Sequence, residues 1–295
     1  MSEAVSGARA APSLLQTAGL TAAAMVAFAA NSLLCRLALQ HQGIDPASFG
    51  SIRLVSGALT LALVVRFRAH PSPAARADWL AAAMLFAYVA FFSFAYLSLP
   101  AGTGALILFG AVQLTMLGAG LGGGERFGPL AWLGFILAAG GLVYLVLPGV
   151  AAPPLLGAVL MAIAGVAWGV YSLRGRGVAD PLAATSRNFL RAVPLALALS
   201  LAFAARAHAD AAGIALAVAS GALTSGLGYV IWYAALARLS AMQAATVQLS
   251  VPLLAAIGGV LLLSEAITPR LAAASVAILG GIAIVLSQKS RNARR

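Results

Sequence analysis

Chemistry in a protein chain starts from its ionisable and nucleophilic side chains, and here they are sparse: seven acids, three histidines and one cysteine in 295 residues. The acids Glu3, Asp45, Asp78, Glu125, Asp180, Asp210 and Glu265 all flank apolar runs, and His41, His70 and His208 fall in or beside the intervening loops. No His-Glu-x-x-His, no Gly-x-Ser-x-Gly and no pair of intramembrane aspartates occurs, so zinc proteolysis, serine hydrolysis and aspartyl proteolysis lack their machinery. Cys35 is single, which excludes an intrachain disulfide and a Cys-based metal site. The expectation is a protein that is not an enzyme and uses no metal or cofactor. A mid-span carboxylate for proton or sodium coupling is also missing.

What remains is binding chemistry. Asn31, Gln113 and Gln248 lie inside apolar runs, where an amide facing lipid would be costly; each should face the interior, either to meet a solute or to join helices. Aromatic residues recur at helical spacing in three places: Tyr88, Phe92 and Tyr96; Trp168 and Tyr171; and Tyr229, Trp232 and Tyr233. Singly these are packing residues or interface anchors. Around one cavity they would form a π-rich pocket for aromatic or cationic organic solutes. Arg53, Arg187 and Arg191 are the formal charges within spans, and their distance from the helix ends is short enough for snorkelling; the competing reading is that they bind a phosphate or carboxylate, but no basic group stands out deep in a cavity. Pro252 interrupts the ladder in the middle of its helix and marks a hinge, where freed carbonyls could meet a polar solute group.

The elements that must position these residues follow from hydropathy. With 62% hydrophobic and 8% charged residues and a mean hydropathy of +0.99, the chain reads as an integral membrane protein. About 20 apolar residues cross the hydrocarbon core. Charge-free runs, split at Pro100, Pro148 and Pro153-Pro154, supply eight spans; the segments near 46–66 and 184–206, each interrupted by arginine, supply two more. The total is ten, an all-α bundle. The net charge of +11 sits between spans, as the positive-inside bias of cytoplasmic loops requires, and no basic face is left for nucleic acid. With both termini in the cytoplasm, twelve basic residues (Arg9, Arg66, Arg68, Arg76, Arg126, Arg174, Arg176, Arg238, Lys289, Arg291, Arg294 and Arg295) lie inside and three (Arg36, Arg206 and Arg270) outside.

The chain also repeats itself. At a shift of 140 positions Leu99 falls on Leu239, Ala101 on Ala241, Glu125 on Glu265, Pro129 on Pro269 and Gly140-Gly141 on Gly280-Gly281. Asp45-Pro46 answers Asp180-Pro181 at a slightly smaller shift. The repeats span 13–148 and 154–288. Five spans in each make the second copy inverted, the plan of carriers whose site lies between repeats. Glu125 and Glu265 each stand four residues before a proline that can open the next helix, where a carboxylate favours the positive dipole end; the alternative is a gate contact formed in one state. The glycines Gly118, Gly120, Gly122, Gly123, Gly124, Gly140 and Gly141 are expected at close helix contacts, with a hinge as the alternative.

These residues resemble the drug/metabolite transporter superfamily, in its branch with two EamA-type modules. The resemblance rests on Leu-Gly-Gly-Gly-Glu125-Arg-Phe-Gly-Pro129 with Gly134 and Gly140-Gly141, and on Tyr233-Ala-Ala-Leu-Ala-Arg238-Leu-Ser-Ala with Pro252 and Leu-Ser264-Glu265. It covers residues 13–288. Within the superfamily the chain is similar to the YddG-type aromatic amino-acid exporters, which implies export of aromatic and other neutral amino acids by alternating access. Val112 departs from the second mid-helix proline of many such modules, so the kinks are not symmetric.

The expected site joins Asn31, Tyr88, Phe92, Gln113, Trp168, Tyr171, Tyr229 and Gln248, with Pro252 as hinge. Its partners are a small-molecule amino acid or metabolite and the lipid bilayer of the inner membrane. The alternatives are a multidrug or quaternary-amine exporter and a membrane protein without transport. The oligomeric state is left open, a monomer included.

Overall fold

The computed structural model describes residues 14–68, 77–124, 126–149, 151–239 and 241–292, the side chains of 241, 242 and 289–292 excepted. Glu3, Arg9, His70, Arg76, Glu125, Arg294 and Arg295 lie outside the described residues, as do the side chains of Lys289 and Arg291.

Among the described residues ten helical spans follow one another: α1 (Leu14–Gln40), α2 (Pro46–Arg66), α3 (Trp79–Ala95), α4 (Ala101–Gly122), α5 (Pro129–Val146), α6 (Leu155–Arg174), α7 (Pro181–Ala202), α8 (Ala211–Leu236), α9 (Ala241–Gln248 and Ser250–Leu263) and α10 (Pro269–Asn292). Eight are long and apolar enough to cross a bilayer by themselves; α3 is apolar but has 17 residues, about 26 Å at 1.5 Å per residue, and α7 carries Arg187 and Arg191. No strand occurs among the described residues beyond one isolated bridge, Ile44 with Ala209.

Contacts at the two ends confirm the weave. Arg68 pairs with Asp180, and Arg174 with Asp78, at the end where α1 begins. At the opposite end, Arg36 donates to the carbonyls of Tyr96 and Leu97, and Arg270 to those of Tyr144 and Leu147.

Helix starts use the same device in matching places. The side chain of Asp45 accepts from Ala47 and Ser48 at the start of α2, and Asp180 accepts from Ala183 at the start of α7; each is followed by a proline at the first helical position. Asp78 caps α3 through Ala81, and Asp210 caps α8 through Gly213. Each cap contributes about 1 kcal/mol. Burial alone would raise the Asp78 carboxyl, but the Arg174 guanidinium and the Ala81 N–H outweigh it and hold it below the usual value. Asp45 is lowered in the same way: its bonds to Ser48, His208 and Ala47 override the burial effect.

Packing shows the inversion. α2 packs on α7, α4 on α9 and α5 on α10, each helix against its own counterpart in the other repeat. The unlike pairs are matched as well: α3 on α6 answers α8 on α1, and α4 on α6 answers α9 on α1. In the α5–α10 crossing, Gly134 lies against the carbonyl of Gly281 and Gly281 against that of Gly134, so neither backbone could come as close with a side chain present.

Three local features refine the sequence reading. The middle of α8, Ser220–Leu227, is wound as a π-helix, which no hydrophobic period announces. α9 consists of two pieces, Ala241–Gln248 and Ser250–Leu263, parted at Leu249; Pro252 has no N–H for the carbonyl of Gln248, and the break falls there. Close packing holds for Gly134, Gly141 and Gly281. Gly118, Gly122, Gly140 and Gly280 face open space, because they point away from the helix crossings.

Candidate substrate-binding cavity

A cavity of about 570 Å³ lies between the two repeats and opens at the end of the bundle that carries Asp78 and the 174–178 segment. Helices α1 to α4 and α6 to α9 all contribute to its wall; the α5–α10 pair stands outside it. All eight residues expected from the sequence, Asn31, Tyr88, Phe92, Gln113, Trp168, Tyr171, Tyr229 and Gln248, line this one space. Pro252 is buried but does not line it.

The aromatic stripes converge on Trp168. Its ring centroid lies 4.9 Å from that of Tyr88, 5.2 Å from Tyr171 in a stacked pair, and 5.7 Å from Tyr229. Tyr229 stacks in turn on Tyr233 at 6.2 Å. The phenols are anchored: Tyr171 donates to Thr185, whose hydroxyl pairs with Tyr233 at 2.8 Å. Tyr96, the third member of its stripe, turns away from the cavity. Its ring meets Phe92 edge-on at 4.7 Å, and its hydroxyl donates to the Ala101 carbonyl.

The deep end is polar, and the π-helical part of α8 makes it so. Wide winding brings Ser220, Thr224 and Ser225 onto the face toward α1 and α2. Asn31 Oδ1 accepts from Ser220 at 2.7 Å and Thr224 at 3.3 Å, while its Nδ2 donates to the Tyr88 hydroxyl at 3.2 Å. Gly221 permits this approach, since a Cβ there would overlap the Arg53 carbonyl and the Ser56 hydroxyl.

Arg53 corrects the sequence expectation. It does not snorkel: it is 2% exposed, lines the cavity, and its guanidinium sits 5.1 Å from the Tyr88 ring centroid and 5.0 Å from that of Phe92. Nε donates to Ser225 at 3.2 Å and Nη2 to the Tyr88 hydroxyl at 2.9 Å, but Nη1 is buried without a partner. An unmade bond of this kind costs about 1–3 kcal/mol, and the charge has no carboxylate partner among the described residues. The sequence reading favoured snorkelling over anion binding because residue count to the helix end is a poor measure of which way a side chain points. Arg187 and Arg191 line the open mouth, as their place near the helix start implied, and Arg191 sits 5.9 Å over the Trp79 ring.

The other end is shut by a latch. Both oxygens of Glu265 accept from the Ala101 N–H, at 3.0 and 2.8 Å, and Oε1 meets Arg36 Nε at 3.4 Å. Arg36 Nη1 also holds the carbonyls of Tyr96 and Leu97, so α1, the α3–α4 turn and the α9–α10 turn are tied together. Ser264, in the left-handed region at φ 55°, turns the chain so that Glu265 points back. The expected helix-dipole role is thus real but serves α4 of the other repeat; α10 is capped by Thr268. Burial raises the Glu265 carboxyl above its ordinary value despite the Ala101 N–H and Arg36.

Ten helices in inverted repeats among the described residues, around one central cavity closed at one end, have the architecture of a multi-pass membrane carrier. The EamA-like transporter family profile matches residues 155–287, the second repeat, and the chain is a membrane transporter of the drug/metabolite superfamily. It is 56% identical over 276 residues to the uncharacterized protein PA1977 of Pseudomonas aeruginosa, covering 94% of this chain and 96% of that one. A solved crystal structure of a protein 22% identical aligns with a TM-score of 0.61 over 90% of this chain and 98% of its own, which shows the shared fold.

Proposed function

We propose that the protein exports aromatic and other neutral amino acids, or closely related metabolites, in the manner of the YddG-type exporters. The observation that carries the reading is the convergence of aromatic stripes from α3, α6 and α8 on Trp168 inside one cavity, with amides at Asn31, Gln113 and Gln248 on its wall. A volume of about 570 Å³ suits one small organic solute. The ring of the substrate stacks among Trp168, Tyr171, Tyr88, Phe92 and Tyr229, and the amides serve its polar end.

The same reading assigns the sides. The positive-inside rule supports an open mouth, lined by Arg174, Arg176, Arg187 and Arg191, that faces the cytoplasm on the same side of the inner membrane as both termini. The latch at Glu265 then closes the outer face, and the conformation is inward-open. Rocking of the repeats 13–148 and 154–288 about the break at Pro252 exposes the site alternately.

Counterflow into proteoliposomes tests it. With unlabelled tryptophan inside and trace labelled tryptophan outside, accumulation that aromatic amino acids compete away is expected without an imposed ion gradient. No accumulation, together with thermal stabilisation by a lipophilic cation, would overturn the reading in favour of multidrug export.

A further inference from the structure

We infer that Arg53 is an anion anchor and that the transported solute must carry a carboxylate on its apolar body. This deepens the proposed amino-acid reading and rests on the same cavity, but on a different end of it.

The inference begins with an incomplete site. Arginine is charged at all relevant pH values and its planar fork matches a carboxylate through paired N–H groups. Two of its nitrogens are taken by Ser225 and Tyr88, while Nη1 is left without an acceptor at the bottom of a cavity. Tyr88 accepts from both Arg53 and Asn31, so its own hydroxyl proton goes to neither and remains to be given. An anion arriving there meets two unspent donors, Arg53 Nη1 and Tyr88 O–H. Ser225 and the rings of Tyr88 and Phe92 hold the guanidinium in place for it.

The rest of the cavity agrees in sign. Among the described residues, five arginines, Arg53, Arg174, Arg176, Arg187 and Arg191, line it against one acid, Asp78, and Asp78 is engaged by Arg174 at the mouth. A basic vestibule raises the local concentration of anions and repels cations. No described carboxylate lines the deep end to receive an ammonium group, so the amine of a zwitterion is accommodated by amides and rings and is not what selects it. The pose is therefore carboxylate inward at Arg53, with the aromatic body toward Trp168.

Equilibrium binding to the purified full-length protein separates the groups. The probes are tryptophan, indole-3-propionate, which lacks the amine, and tryptamine and tryptophanol, which lack the carboxylate; 4-methylpentanoate supplies a carboxylate without a ring. Tryptophan and indole-3-propionate should bind within about tenfold of each other, and tryptamine and tryptophanol about 10- to 100-fold more weakly than tryptophan, the range expected for hydrogen bonds to a charged group. Arg53→Gln should abolish that discrimination, and Arg53→Lys, which keeps the charge should the first variant fail to fold, should retain it with weakened affinity. Tryptophanol binding as tightly as tryptophan would overturn the anchor and leave the aromatic reading standing. Arg53-dependent binding of 4-methylpentanoate without binding of any indole would do the reverse. Binding by no carboxylate at all would overturn both.

Discussion

Glu265 caps a helix that belongs to the other repeat: its two carboxylate oxygens lie 3.0 and 2.8 Å from the backbone nitrogen of Ala101, the first residue of α4. The contact ties the α9–α10 turn to the α3–α4 turn and, through Arg36, to the end of α1. A cap is worth about 1 kcal/mol, and a conformational equilibrium shifts about fivefold for that energy. Glu265→Ala should therefore move the protein measurably toward opening at this end. Glu265→Gln should not, because the amide oxygen still accepts from Ala101. Spin labels at the exposed positions Leu97 and Ala266, in a Cys35→Ser background, report the opening as a longer inter-label distance. Equal distributions for the Ala and Gln variants would show that the latch is held by something other than the cap.

The raised Glu265 carboxyl fixes the sign of a pH effect. In the closed end the group is partly desolvated and takes up a proton more readily than it would in water, where its value is the ordinary 4.5. By linkage the state with the higher value is favoured by protons, so lowering the pH through the acid range above 4.5 should stabilise the closed end, although it neutralises the partner of Arg36. The same label pair should show the open population falling on acidification in the wild type and not responding in Glu265→Gln. A rising open population would mean that the ion pair with Arg36 outweighs desolvation.

Why the sequence yields the aromatic half of the cavity and not its charged end is a matter of periodicity. Residues at i, i+3 and i+4 share a helix face whatever the tertiary structure, so Tyr88 with Phe92 and Trp168 with Tyr171 had to point the same way. Ten spans and their inversion are likewise readable, because bilayer thickness and duplicated Asp-Pro starts leave little freedom. Arg53 is legible only against its repeat partner: at the shift of 135 that places Asp45 on Asp180, it falls on Asn188, and both residues line the cavity. The π-winding at Ser220–Leu227 depends on how closely α8 can approach α2, which is a property of two helices and leaves no mark in the period of one.

That approach makes a contrast between glycines. Gly221→Ala would drive a methyl into the Arg53 carbonyl and the Ser56 hydroxyl, and overpacking of this sort costs about 1–3 kcal/mol. Gly118→Ala, inside α4 with open space around it, should instead stabilise by up to about 1 kcal/mol through helix propensity. Thermal unfolding in detergent should move in opposite directions for the two variants. A neutral Gly221→Ala would mean that α8 can retreat from α2, and the polar cluster around Asn31 would not need the close contact.

Trp168 is the ring on which the stripes meet, touching Tyr88, Tyr171 and Tyr229. Aromatic pairs contribute about 0.5–1.5 kcal/mol each beyond burial, so losing the stacking surface for a bound ring should cost about tenfold or more in affinity. Trp168→Ala should thus cut tryptophan counterflow by at least about tenfold at subsaturating substrate, and Trp168→Phe should recover part of it. Gln248→Ala should also reduce exchange, through the polar end of the solute. Tyr144→Ala is the matched control, because that ring is half exposed on α5 outside the cavity. All four variants should keep the same elution profile and helical circular dichroism. Full exchange by both Trp168→Ala and Gln248→Ala would remove these two residues from the site and return the aromatic cluster to helix packing, where it would stabilise the bundle without touching the solute.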